Sequence, residues 1–162
     1  MQPFLLLRML VLLTLANGTP VIAKKVFGRH FDRPLDSGVL FFDRRPLFGR
    51  SKTMRGILVS ILITTAGAPL IGLDPQIGAV VASTAMFGDL ISSFVKRRLN
   101  LAPSSRAIGL DQVPESLLPL LACGDTLALT AADVGLGVII FFIGELFFSR
   151  ILYKAHLRDE PY

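Results

Sequence analysis

The chain has 162 residues, 52% of them hydrophobic, and a mean hydropathy of +0.61. This is more apolar surface than a soluble domain of this length needs for its core, so the composition argues against a soluble protein and favours one integral membrane domain, residues 1–162. The formal net charge of +5 would suit a nucleic-acid-binding protein, but the placement of the basic residues fits membrane topology better, and no nucleic-acid partner is expected. A lone cysteine, Cys123, excludes an intrachain disulfide.

Apolar segments of about 20 residues, the length that an α-helix needs to cross a bilayer, recur along the chain. They predict an all-α, polytopic membrane fold with about five transmembrane helices. The candidate spans are residues 3–22, 56–73, 76–95, 115–133 and 135–153. The first span is alternatively a cleaved signal peptide, but Lys24 and Lys25 follow its apolar run instead of preceding it, which favours a retained helix.

The basic residues lie on one side of the predicted bundle. Of the 17 Lys and Arg residues, nine fall between residues 23 and 55, four between 96 and 112 and three after residue 149. The short connections near Asp74 and Asp133 carry none. Because cytoplasmic loops are enriched in Lys and Arg, this distribution predicts an outside N-terminus and a cytoplasmic C-terminus in the cell membrane. Residues 23–55 then form a long basic cytoplasmic loop, and residues 96–112 form a second cytoplasmic loop.

The long loop contains too many apolar residues for a free linker, so we expect it to fold back against the membrane. Its glycines and prolines predict short turns, with one strand or interfacial helix around Val39 to Asp43. Near its end the sequence predicts a helix start, with Ser51 as the cap and Lys52 and Arg55 in the first turn. Backbone N–H groups at such a start can bind phosphate.

The third predicted helix bears ionisable residues towards its cytoplasmic end. At about 3.6 residues per turn, Asp89, Ser93 and Lys96 share one stripe, with Arg97 at its edge. An aspartate at membrane depth costs roughly 3 kcal/mol on insertion scales, so it usually lines a polar cavity and has a partner. The stripe therefore indicates a hydrated pocket that opens towards the cytoplasm.

Two further acids stand at the start of the fourth predicted helix. Asp111 and Glu115 are four residues apart and are predicted to project together. Hard oxygen ligands in this number suit Mg²⁺, which normally keeps waters and shares phosphate oxygens with a substrate. Asp89, Asp111 and Glu115 are therefore the candidate metal ligands.

Several segments, in chain order, resemble the CDP-archaeol synthase family. They are Ala16 to Val21, Pro34 to Gly38, Phe42 to Gly56, Gly88-Asp89-Leu90 with Ser93 to Arg98, and Leu110-Asp111-Gln112. The resemblance extends over roughly residues 14–122. It implies an integral membrane cytidylyltransferase related to CDP-diacylglycerol synthases, with five transmembrane helices and a site facing the cytoplasm. Such enzymes join CTP to an isoprenoid glycerol ether phosphate in the bilayer and release pyrophosphate, with Mg²⁺ as cofactor.

Matched position by position, the resemblance marks eleven site residues. They are Asn17, Asp36, Asp43, Lys52, Thr53, Arg55, Asp89, Ser93, Lys96, Arg97 and Asp111. The carboxylates of Asp89 and Asp111, with Glu115, are expected to hold one or two Mg²⁺ ions, and the basic residues to bind the triphosphate or the lipid phosphate. The chain departs from the family's pattern at Arg50, where an acid is usual, and at Pro114-Glu115, where a second aspartate is usual.

A second class of function stays open at this point. A non-catalytic anionic-lipid-binding protein or a small transporter would also place ionisable residues inside helices. The chain lacks the paired repeats of a transporter and has two separated carboxylate positions, which favours the enzyme. For Asp125 and Glu145, a structural role that locks helices together is favoured over the alternative that both line the same cavity. The sequence leaves open whether the acceptor is an archaetidic-acid-like ether or a phosphatidic-acid-like ester, and whether the protein forms a homo-oligomer.

Overall fold

The structure, a computed structural model, describes residues 2–28, 30–101, 105 and 107–154. Its elements are α1 (Pro3–Phe27), α2 (Met54–Gly67) with a 3₁₀ turn (Ala68–Ile71), α3 (Pro75–Arg98), α4 (Gln112–Ala122) and α5 (Ala131–Lys154). In this part of the chain, β pairing is limited to isolated bridges, Pro34 with Thr53 and Leu40 with Pro46. The all-α prediction is confirmed. The strand or interfacial helix predicted around residues 39–43 is wrong, because that segment forms a tight turn closed by the second bridge.

Four helical stretches are long and apolar enough to cross a membrane: Pro3–Phe27, Met54–Ile71, Pro75–Arg98 and Ala131–Ile151. α4 has 11 residues, which is about 16 Å at 1.5 Å per residue and about half of a bilayer's hydrocarbon core. The predicted helix over 115–133 is therefore wrong in its bounds. Its polar residues make a turn after Ala122, and α5 begins four residues earlier than predicted, at Ala131.

The start of α5 explains why the predicted span 115–133 is divided between α4 and α5. The Asp133 carboxylate accepts the Thr130 N–H at 3.1 Å, and the Thr130 hydroxyl accepts the Asp133 N–H at 3.2 Å. Such a reciprocal cap satisfies N–H groups that a helix start leaves without partners. The apolar pattern continues across this cap, and it conceals the turn when only hydropathy is read.

The two ends of the bundle differ in chemistry. At one end, the Gln2 N–H donates to the Asp133 carboxylate at 3.2 Å, so α1 and α5 start side by side. At the other end, the Arg45 guanidinium of the long loop donates to the Arg98 carbonyl at 2.5 Å, where α3 ends. The described basic residues of both predicted loops gather here, and we call this the basic end. Arg29, Arg106 and residues 155–162, which the charge argument also used, lie outside the described residues.

The buried core lies between α1 and α3, which both contact α2 and α4. Met9, Leu12 and Leu13 of α1 are fully buried against the small residues of α3. Large apolar side chains face outwards instead: Leu62 of α2 is 68% exposed and Phe147 of α5 is 64% exposed. An apolar belt on helices of this length is the surface that lipid covers, in agreement with a multi-pass membrane protein.

α3 approaches two neighbours closely because it has glycine at both crossings. A Cβ at Gly78 would lie 2.6 Å from the Thr64 carbonyl oxygen of α2. A Cβ at Gly88 would lie 2.8 Å from the backbone nitrogen of Glu115 in α4. Small residues at such contacts let helix backbones approach closely. The Gly88 crossing determines where the start of α4 lies against α3.

Asp36 holds the long loop together from inside. Its buried carboxylate accepts hydrogen bonds from the N–H groups of Gly38 at 3.1 Å, Phe48 at 3.0 Å and Gly49 at 2.9 Å. Burial alone would raise the pKa of Asp36, but these N–H donors, with Gly49 first, outweigh it and lower the pKa below the ordinary 3.8. The ionised carboxylate therefore stabilises the folded loop.

We expect Asp36→Asn to destabilise the protein by about 1–3 kcal/mol, because an amide offers one acceptor oxygen and no charge to three N–H donors. A group with a lowered pKa stabilises the fold above its unfolded pKa, and this contribution is lost as the pH falls through its folded pKa. The thermal stabilities of wild type and variant in detergent should thus differ at pH 7 and converge below pH 3.8, the ordinary value. Asp125→Asn, at an exposed position, is the control. A difference that persists unchanged in acid would contradict this role.

Candidate functional site

The Gly88 crossing brings two acids from different helices together. Asp89 follows Gly88 in α3, Glu115 follows Pro114 in α4, and their carboxyl groups lie close enough to interact directly. Glu115 is only 6% exposed. Such a buried acid pair is costly unless cations or a ligand compensate for its charge.

Lys52 of the long loop supplies the nearest cation. Its ammonium contacts both oxygens of Asp89, at 2.5 Å to Oδ1, and the two side chains are 21% and 19% exposed. Burial would lower the pKa of Lys52, but the charges of Asp89, Glu115 and Asp111 outweigh burial and raise it above the ordinary 10.5. Lys52 is therefore an ammonium ion at neutral pH, and it joins the loop to the acid pair.

The local fold at the start of α2 places Lys52 differently from the sequence prediction. Thr53, not Ser51, is the N-cap of α2, and its hydroxyl accepts the Gly56 N–H at 3.1 Å. Lys52 consequently precedes the helix instead of lying in its first turn. Extended backbone at Thr53 leaves the Lys52 side chain free of the helix surface, so that it can point across to α3.

A second ion pair lies beside the first. The Lys96 ammonium is 2.6 Å from Oδ1 of Asp111, and both side chains are largely buried. Lys96 also donates to the Ser105 carbonyl at 3.1 Å, and Asp111 accepts the Ala107 N–H at 3.1 Å. The buried Arg97 interacts electrostatically with Asp111 as well. These contacts tie the second loop to the end of α3.

Ser92 is a positioning residue that sequence reasoning passed over. Its buried hydroxyl lies 2.6 Å from the Leu110 carbonyl oxygen, just before α4, and 3.0 Å from the Gly88 carbonyl oxygen of its own helix, and its one hydrogen is donated to the nearer, Leu110. It thereby fixes the start of α4 against α3, next to the acid pair. Its place beside the polar stripe of α3 was the one signal in the sequence that pointed to it.

Six charged residues from four segments thus form one group, which we call the charged cluster: Lys52, Asp89, Lys96, Arg97, Asp111 and Glu115. Among the residues that the structure describes, no three His, Cys, Asp or Glu side chains are grouped so that they could hold one metal ion. Asp89 and Glu115 share one position, whereas Asp111 pairs with Lys96. The predicted three-carboxylate ligand set is therefore split in this arrangement.

The remaining two-carboxylate set still fits Mg²⁺. This ion is usually bound through one or two carboxylates, several waters and the phosphate oxygens of a substrate. Asp89 and Glu115 offer hard oxygen ligands at one position, and an ammonium group already occupies part of the space that a cation needs. The donor chemistry agrees with Mg²⁺, and the metal itself stays a prediction.

Other predicted site residues lie away from the acid pair. Asp43 accepts a hydrogen bond from the Arg98 guanidinium at 2.7 Å. That guanidinium lies 4.9 Å from the ring centroid of Phe41 and 4.8 Å from that of Phe94. This arrangement attaches the turn of the long loop to the end of α3, so Asp43 positions the loop in the structure.

Arg55, Asn17 and Ser93 also have local surroundings of their own. Arg55 donates to the carbonyls of Gly28 and His30 and pairs with Asp32 at 3.2 Å, which joins α2 to the end of α1. The Asn17 amide donates to a carbonyl within α1, and Ser93 is buried in α3. The substrate-binding roles predicted for Asn17, Asp36, Asp43, Thr53, Arg55 and Ser93 stay predictions.

The two other acids that were predicted within apolar segments, Glu145 and Asp125, lie in different surroundings. Glu145 of α5 is near enough to Glu115 to interact with it electrostatically, so it borders the charged cluster. Asp125 lies in the exposed turn between α4 and α5, not in a helix as its predicted span required. The structural roles expected for both residues stay predictions.

Comparisons with known proteins agree on one family. The family model described as CarS-like CDP-archaeol synthase matches residues 75–162. A CDP-archaeol synthase of Sulfurisphaera tokodaii is 32% identical over 159 residues, covering 91% of this chain and 89% of the relative. One of Pyrobaculum calidifontis is 31% identical, covering 91% and 90%. A solved structure described as an intramembrane enzyme for archaeal membrane lipids biosynthesis superposes with a TM-score of 0.69 at 28% identity, covering 85% of this chain and 90% of that one.

Gly88→Ala tests whether the close α3–α4 crossing holds the acid pair. The added Cβ meets backbone of Pro114 and Glu115, which cannot yield as a flexible side chain can. We expect a loss of about 1–3 kcal/mol in unfolding free energy, the usual range for overpacking. Gly135→Ala in α5 is the matched control, because nothing lies within 4 Å of its Cβ position. Equal thermal stability of both variants in detergent would show that the crossing tolerates a wider spacing.

Proposed function

The chain belongs to the CDP-archaeol synthase family, and from this premise we propose that it transfers the cytidylyl group of CTP to a membrane lipid phosphate. The acceptor is an isoprenoid glycerol ether phosphate, and pyrophosphate is released. Membership of an enzyme family removes the support for the non-catalytic scaffold or transporter. The single structural observation that carries the proposal is the pairing of the partly buried Asp89 with the buried Glu115, next to cations from the long loop and from the end of α3.

The reaction asks the protein for positioning and charge stabilisation. An oxygen of the lipid phosphate forms a bond to the α-phosphorus of CTP, while the bond from that phosphorus to the bridging β-phosphate oxygen breaks and pyrophosphate leaves. A phosphate monoester is already largely ionised at neutral pH, so no side chain has to remove a proton from it. Lys52, Lys96 and Arg97 are the cations that we propose bind phosphate oxygens, because they lie together at the charged cluster.

Asp89 and Glu115 are the residues that would hold Mg²⁺, which when bound neutralises charge that builds up on the phosphate oxygens. Asp111 keeps the Lys96 ammonium at the cluster, and Ser92 keeps Glu115 beside Asp89 through the start of α4. Asp89 lies nine residues before the end of α3, which is about 14 Å below the basic end. At this depth a nucleotide that enters from water can meet the phosphate of a lipid whose chains stay in the bilayer.

Purified protein given CTP, Mg²⁺ and a mixed pool of dialkyl ether and diacyl glycerol phosphates should form a CDP-lipid and pyrophosphate in equal amounts. We expect mass spectrometry to find the ether product in excess. Asp89→Asn and Glu115→Gln should lower kcat/KM by about 100-fold or more, the scale reported for removing one strong electrostatic interaction at a reacting centre. Exposed Asp125→Asn should leave it unchanged. No product from any lipid phosphate, with intact folding, would refute the proposal.

The basic end should face the cytoplasm if the charge bias determines orientation. In a Cys123→Ser background, Arg50→Cys places a thiol at the basic end, and Thr126→Cys places one at the opposite end; both positions are exposed. In intact cells or right-side-out vesicles, a membrane-impermeant maleimide should label Thr126→Cys and spare Arg50→Cys until the membrane is opened. The reverse pattern would place the charged cluster on the outer side.

A further inference from the structure

Both of the aspartates expected to serve the metal are in contact with a lysine expected to bind phosphate. Lys52 contacts both oxygens of Asp89, and Lys96 pairs with Asp111 at 2.6 Å. The two pairs differ in one respect that matters for binding. Asp89 also lies beside a second carboxyl group, that of Glu115, and the charge of Glu115 acts on the Lys52 ammonium as well. This ammonium therefore lies next to two hard oxygen ligands.

An ammonium group and a divalent cation cannot occupy this position together. Mg²⁺ binds carboxylate oxygens at about 2.0–2.1 Å, and a positive charge in hydrogen-bond contact with the same oxygens both blocks and repels it. Asp89 must therefore lose its contact with Lys52 before it can become a metal ligand. The ammonium must then find another anion, because an unpaired buried charge is strongly destabilising.

The Lys52 side chain has more freedom to change its position than the Lys96 side chain. It precedes the first residue of α2, and its flexible four-carbon stem is 21% exposed. Lys96, by comparison, is on α3 and is also held by the Ser105 carbonyl. A nucleotide brings the anion that the displaced ammonium needs together with the metal, since Mg²⁺ and the triphosphate travel as one complex.

We propose that Lys52 is an internal counter-cation that occupies the Asp89–Glu115 site of the substrate-free protein, gives it up to the divalent cation and passes to the nucleotide's phosphates. The inference rests on the proposed function, since it takes CTP and a divalent cation as the ligands. Its consequence is positive cooperativity: each ligand removes an obstacle to the other. Without nucleotide, Lys52 keeps the metal affinity low. With nucleotide, the same residue strengthens binding.

The test measures Mn²⁺ binding to the full chain in detergent by electron paramagnetic resonance, with and without CTP and in the absence of lipid acceptor. Lys52→Met is the key variant. Lys96→Met removes a nearby positive charge that does not contact Asp89, and Lys25→Met removes an exposed charge on α1. We expect Lys52→Met alone to bind Mn²⁺ about tenfold or more tightly without CTP. We also expect CTP to tighten Mn²⁺ binding strongly in wild type and at least tenfold less in this variant.

Unchanged or weaker Mn²⁺ binding by Lys52→Met without CTP would overturn the exchange. An equal gain in Lys96→Met would also overturn it, because general electrostatics would then account for the effect. If wild type binds Mn²⁺ with CTP and Lys52→Met behaves identically, the exchange fails while the proposed function stands. If wild type binds no Mn²⁺ even with CTP, both fail.

Discussion

The close crossing of α3 and α4 at Gly88 is the constraint on which the rest of the site depends. Without a side chain at this position, the backbone of α4 comes near enough for Glu115 to meet Asp89 inside an otherwise apolar bundle. Acids buried this way need compensation, and Lys52 of the long loop and Lys96 at the end of α3 provide it. The long loop, the second loop and the end of α3 are all attached to one another around this charge.

The long loop positions one lysine, Lys52, against Asp89. Asp36 folds it from within, the contact of Asp43 with Arg98 attaches it to α3, and Arg55 attaches α2 to the end of α1. The residues that the family resemblance marks therefore form two groups. One group lies near the acid pair, and the other, which includes Asp36, Asp43 and Arg55, holds the surrounding segments in place. In the structure, the contacts of the second group hold the long loop and α2 in place, and thereby position Lys52. Their predicted contacts with substrate stay predictions.

Much of this arrangement could be predicted from the sequence, because bilayer thickness and charge bias constrain a short hydrophobic chain tightly. The spans, the shared side of the basic loops and the stripe of Asp89, Ser93 and Lys96 follow from helix length and periodicity. The division of the predicted span 115–133 could not be predicted from hydropathy, because Thr130 and Asp133 start a new helix through local capping hydrogen bonds. The pairing of the acids could not be predicted either. Helix periodicity groups Asp111 with Glu115, whereas the backbone contact at Gly88 brings Glu115 to Asp89.

The central claim is that Asp89 and Glu115, from two helices, form one cation position that Lys52 occupies until nucleotide and metal arrive. A structure of the protein with Mn²⁺ and CTP, phased to show the anomalous scattering of manganese, addresses it most directly. The account predicts one manganese peak between these two carboxylates and the Lys52 ammonium on a phosphate oxygen. Manganese bound elsewhere, with Lys52 still on Asp89, would contradict it.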